Sequence, residues 1–116
     1  MRPVRDAQEL ARAFEEPWAL VFKHSTRCPV STAAHREVAE FRRRNPAAAV
    51  YVVHVVEQRD LSKAVAERTG IRHESPQAIV LAGGSVVWSD SHEGVTADAL
   101  EALLPASVAQ RAPTAA

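Results

Sequence analysis

The chain has 116 residues, 47% of them hydrophobic and 24% charged, which is enough apolar material for one domain with its own core and argues against disorder. Fourteen Lys and Arg balance fourteen Asp and Glu, so the basic excess of a general nucleic-acid binder is missing. A single cysteine excludes an internal disulfide, so any thiol chemistry has to pass through a second molecule.

The first fifteen residues carry Arg2, Arg5, Asp6, Glu9, Arg12 and Glu15 without an apolar stretch between them, so no signal peptide is expected. Asp6 followed three residues later by Glu9 has the form of a capping box. Leu10, Ala13 and Phe14 then share a face, which predicts a short helix ended by Pro17. Trp18 to Phe22 is a continuous apolar run of the length of a buried central strand.

Next comes His24-Ser25-Thr26-Arg27-Cys28-Pro29-Val30-Ser31. Proline is favoured at the first helical position, where its missing N–H costs nothing. Val30, Ala33, Ala34, Val38 and Phe41 follow at helical spacing, so a helix is expected from about Pro29 to Arg43. The basic cluster Arg42-Arg43-Arg44 suits the solvated C-terminal end of that helix. Val50 to Val56 is rich in β-branched residues and reads as a second strand. Asp60 is a candidate cap for a helix over Leu61 to Thr69, with Gly70 just past its end.

Pro76 opens a third strand, Gln77 to Ala82, where a sheet tolerates proline. Gly83-Gly84 is a two-residue hairpin signal leading to a fourth strand, Ser85 to Ser89. Thr96 is placed to cap a last helix running to about Leu104. Residues 105–116 are poor in large apolar groups and read as a fraying tail. The longest apolar stretch, Ala47 to Val56, is too short to span a membrane. The expectation is one α/β domain over residues 1–104, a four-stranded mixed sheet flanked by helices on both faces. That order of elements resembles the thioredoxin-like arrangement, in which the active thiol follows the first core strand and a proline before the third strand faces it.

Cys28 sits at the predicted strand-to-helix turn among polar residues, unlike a structural cysteine packed on an apolar face. Backbone N–H groups and the positive end of the helix dipole favour a thiolate there, and the thiolate is the nucleophile. Arg27, His24 and His35 would add positive potential if they point inward, and Ser31, one turn on, is placed to donate to the sulfur through its hydroxyl or its backbone N–H. Ser31 cannot resolve a mixed disulfide as a second cysteine would, so Cys28 depends on an external thiol. The five histidines lack tight metal-ligand spacing, so no metal site is expected.

The segments Phe22–Ser31, Val55–Ser62, Arg72–Gln77 and Val87–His92 together resemble the monothiol bacilliredoxin family, in order and at compatible spacing over roughly residues 4 to 104. The resemblance implies a cytoplasmic thiol–disulfide exchange enzyme that removes bacillithiol from S-bacillithiolated client proteins. Bacillithiol, a low-molecular-weight thiol, would be a co-substrate, with no bound cofactor. It implies Cys28 as the attacking thiol, Ser31 as the non-resolving position and Pro76 as a cis-proline beside the thiol. Arg27, Pro29 and Ser75 are the candidates for contact with the small thiol, and Arg59 or Arg72 for one of its carboxylates. Two other readings stay open. One is a thiol peroxidase, from the Ser25-x-x-Cys28 spacing, although Val21 stands where that motif has proline. The other is an iron–sulfur or partner-binding monothiol module, although Pro29 replaces the glycine that such modules carry.

Overall fold

The computed structural model describes residues 1–109. The elements in chain order are β1 (Arg2–Pro3), α1 (Ala7–Glu15), β2 (Trp18–His24), α2 (Pro29–Arg44), β3 (Ala49–His54), α3 (Arg59–Thr69), β4 (Gln77–Ala82), β5 (Ser85–Ser91), a 3-10 turn (His92–Gly94), α4 (Ala97–Ala102) and α5 (Ala106–Ala109). The strands form one sheet in the order β1-β3-β2-β4-β5. β2 runs parallel to β3 and antiparallel to β4, and β5 returns antiparallel to β4.

The sheet has five strands where four were expected. The addition is β1, whose Arg2 and Pro3 pair in parallel with Tyr51 and Val52 of β3. Two residues containing a proline carry no alternation to read, and only the edge of β3 makes them a strand.

β2 is buried along its whole length. Its side chains alternate between two cores, as a strand with a period of two requires. Trp18, Leu20 and Phe22 pack with Ala34, Val38 and Phe41 of α2 and Leu100 of α4. Ala19 and Val21 pack with Leu10 and Ala13 of α1 and Val65 of α3. Burying each such Leu, Phe or Val contributes about 1.5–3 kcal/mol. The same alternation carries Lys23 to the α3 face and His24 to the α2 face.

The ends of the elements follow local chemistry. The Asp6 side chain accepts from the Glu9 N–H at 2.8 Å and caps α1. The Glu9 carboxylate does not close the box; it takes the Arg5 guanidinium instead, at 3.1 Å. Thr96 caps α4 by accepting from the Ala99 N–H at 3.1 Å. α3 starts two residues earlier than expected: Gln58 is its cap residue, without a side-chain bond, and Asp60 lies inside the first turn, where its charge suits the dipole. Gly70 ends α3 at φ 72°.

Gly83 and Gly84, both at positive φ, make the β4–β5 turn. β5 extends to Ser91, two residues past expectation, because the ladder continues to a Gln77–Ser91 pair. α4 ends at Ala102, two residues short of Leu104, in a tighter turn through Leu103. Within the expected tail, Ala106–Ala109 is helical and Val108 joins the α2-side core. The rest of the expected tail lies outside the described residues.

Candidate functional site

Cys28 stands where β2 has ended and α2 begins. It is the N-cap residue of a sixteen-residue helix, with Pro29 in the first turn and no acidic residue there to offset the dipole. The Cys28 N–H donates to the Ser25 carbonyl at 3.3 Å, closing the turn. The Cys28 carbonyl accepts from the Thr32 N–H at 3.0 Å and from the Thr32 hydroxyl at 3.3 Å. The side chain makes no capping bond of its own, and the residue is half-buried. The sulfur therefore lies at the positive end of α2, free of a competing partner among the described residues.

Ser31 has a different task from the one its spacing suggested. It is fully buried. Its hydroxyl oxygen accepts from the Ser25 N–H at 2.9 Å and lies 2.8 Å from His24 Nδ1. Ser31 thus ties the loop before Cys28 to the end of β2, rather than donating to sulfur. The hydroxyl is committed elsewhere because one helical turn fixes a face, not what the hydroxyl meets there.

His24 likewise does not supply the expected positive charge. His24 is buried and stacks on Phe22, with ring centroids 5.5 Å apart. His35 and His54 lie at 4.8 and 6.0 Å from it. Burial, and then the two neighbouring imidazoles, hold the His24 pKa below the ordinary value, so the ring is neutral at neutral pH. Among the described residues no three His, Cys, Asp or Glu side chains are arranged to hold a metal ion.

Pro76 is buried and follows a cis Ser75–Pro76 peptide bond. It lies one residue past the Lys23–Gln77 pair of the β2–β4 ladder, at the end of the sheet from which the chain leaves for Cys28. Its carbonyl accepts from the His92 N–H at 3.1 Å. His92 has φ 54°, a left-handed conformation that imidazole residues visit more often than most. It borders a groove of about 480 Å³ with Pro29 and Val30 of the first turn of α2. Glu37, on the groove wall, accepts from the Ala97 N–H at 2.9 Å and fixes α4 against α2.

The remaining candidates divide. The Ser75 hydroxyl is sealed from solvent without a hydrogen-bond partner among the described residues. Arg27 is exposed and borders a depression of about 450 Å³ with Cys28 and Pro29. Arg36 and Thr32 line the same depression and were not picked out from the sequence. Their signal is the spacing 28, 32, 36, which puts all three on one helical face. Two arginines thus share this depression with Cys28. Arg59 borders a separate cavity, described below, and Arg72 is exposed, with its carbonyl accepting from Gln77 Nε2 at 2.9 Å.

Solved structures place this geometry in a known fold. A thioredoxin-fold protein, provisionally classed as an oxidoreductase, is 28% identical, covers 87% of this chain and 90% of its own, and superposes with a TM-score of 0.81. A thioredoxin variant from Halobacterium salinarum NRC-1 is 20% identical over 99% of this chain and 93% of its own, with a TM-score of 0.68. Oxidised thioredoxin from Plasmodium falciparum is 18% identical over 97% and 98%, also at 0.68. The last two establish the fold alone. A family model described as monothiol bacilliredoxin BrxC matches residues 1–100. A thioredoxin fold, one cysteine at the mouth of its first long helix, and a match over most of the chain lead to one assignment: the protein belongs to the monothiol bacilliredoxin family.

Proposed function

We propose that the protein is a cytoplasmic thiol–disulfide exchange enzyme that removes bacillithiol from S-bacillithiolated proteins. The reading rests on one observation: the sole cysteine is half-exposed at the N-cap of α2, and the position three residues on is a buried serine already bonded to His24 and Ser25.

The Cys28 thiolate attacks the bacillithiol sulfur of the client's mixed disulfide. A Cys28–bacillithiol disulfide forms, the client's S–S bond breaks, and the client leaves as a thiolate. Ser31 carries no thiol, so the adduct waits for a second bacillithiol, whose thiolate attacks the bacillithiol sulfur of the adduct. Bacillithiol disulfide departs and Cys28 is regenerated as a thiolate. Two thiols are oxidised to one disulfide as one mixed disulfide is reduced, so electrons balance. Arg27 and Arg36, which line the same depression as Cys28, support the reading, because they offer cations to an anionic small thiol. Pro29 and the backbone at Ser75 and Pro76 are the proposed walls of its seat.

The test uses a bacillithiolated client protein and free bacillithiol. Wild-type protein should release the client thiol and pass through an adduct on Cys28 of the mass of one bacillithiol. Cys28→Ala should be inactive. Full turnover by Cys28→Ala would sink the mechanism, and equal rates on a glutathionylated client with glutathione would sink the choice of thiol.

A further inference from the structure

Lys23 is fully buried, on the α3 face of β2. Its ammonium lies 3.1 Å from His73 Nδ1, and the Ser62 hydroxyl lies 3.2 Å from the same nitrogen. The residue opposite Lys23 in the ladder is Gln77, which is neutral. Among the described residues no carboxylate pairs with Lys23, although buried ammonium groups are costly unless paired. Burial lowers its pKa to about 8, which still leaves the charged form dominant at neutral pH.

The ammonium is a donor only, so His73 Nδ1 must accept from it. The neutral ring then carries its proton on Nε2, on the side away from Lys23. Burial and the Lys23 charge both lower the His73 pKa, which keeps the ring in that neutral form, while Glu74 acts in the opposite sense. His73 and Ser62 line a cavity of about 450 Å³, whose wall also includes Arg59 and Lys63. Lys63 has only a loose, exposed partner, Glu67 at 3.9 Å, and Arg59 forms no ion pair among the described residues. Two cations, Arg59 and Lys63, and the His73 ring therefore line a cavity whose wall carries no acidic residue, with the Lys23 ammonium behind the ring.

We propose that this cavity binds a small oxyanion, a carboxylate or a phosphate group, held by the Arg59 guanidinium, the Lys63 ammonium and His73 Nε2–H, with Lys23 as the buried charge behind His73. Arg59 presents the planar fork that matches either group. The bound anion supplies the counter-charge that Lys23 lacks. It also links α3 to the connector that leads from His73 into Ser75 and Pro76. The site involves neither Cys28 nor Ser31 and stands independently of the thiol chemistry.

The probes are inorganic phosphate and succinate, each titrated into the full chain and followed by NMR of the His73 ring and the Lys23 side chain. Sodium chloride at matched ionic strength controls for screening. At least one anion should give saturable shifts and raise the Lys23 titration midpoint. Arg59→Gln, a surface change, should weaken binding by about tenfold or more. Lys23→Met should weaken it comparably while keeping or raising thermal stability, since it removes a buried unpaired charge. Saturation by one anion only identifies the kind of group the site takes. Absence of saturation with both, or saturation unchanged in Arg59→Gln and Lys23→Met, would overturn the proposal.

Discussion

The His24 imidazole and the Ser31 hydroxyl meet at 2.8 Å in the interior, and the same hydroxyl receives the Ser25 N–H at 2.9 Å. One buried oxygen thus joins the last residue of β2, the first residue of the following loop and the first turn of α2. Ser31→Ala should leave a buried imidazole nitrogen and a loop N–H unsatisfied, at a loss of roughly 1–3 kcal/mol. Denaturant unfolding measures that loss. A variant as stable as the wild type would show that the contact does not hold the loop.

Acid should weaken the same region. The folded-state pKa of His24 lies below its ordinary value of 6.5. Between the two values the unfolded chain binds the proton that the native chain refuses, so stability falls as pH drops below about 6.5 and is fully present above it. His73 shifts in the same direction. An NMR titration of the His24 ring should give a midpoint below 6.5, and a midpoint at or above it contradicts the expected sign.

The hairpin glycines should respond unequally to alanine. Both have positive φ, so each substitution costs about 1 kcal/mol in backbone conformation. A Cβ on Gly83 would meet nothing within 4 Å, whereas one on Gly84 would meet the Phe14 carbonyl oxygen at 2.7 Å. Gly84→Ala should therefore lower the thermal midpoint clearly more than Gly83→Ala. Equal losses would mean that α1 moves aside at little cost.

Glu37 should act on stability through α4. Removing its carboxylate orphans the partly buried Ala97 N–H, at about 1–2 kcal/mol. Glu37→Gln retains an acceptor oxygen and should lose less than Glu37→Ala. Identical unfolding midpoints for the two variants would remove this bond from the account.

Much of this molecule is legible in one dimension. The continuous apolar run of β2, the proline at the start of α2, the glycine pair and the caps at Asp6 and Thr96 are local signals, because each is carried by a few neighbouring residues. So is the placement of Cys28 at the end of a strand and the mouth of a helix. β1 was not legible, because its pairing is supplied by β3, about fifty residues away. The start of α3 moved because Gln58, not Asp60, occupies the cap position.

The amino-acid sequence by itself determined that a lone thiol would follow the first core strand and would lack a resolving partner, since both are matters of order and residue type. Tertiary structure alone decided what surrounds it: the Ser31 hydroxyl was committed to His24, His24 was kept neutral, Arg36 was brought to the depression that Cys28 lines, and Lys23 was buried against His73. Those outcomes depend on which side chains meet across β2, α2, α3 and the connector, and on how much water the meeting excludes. Hydrogen-bond choice and charge state follow from that exclusion, which no stretch of neighbouring residues encodes.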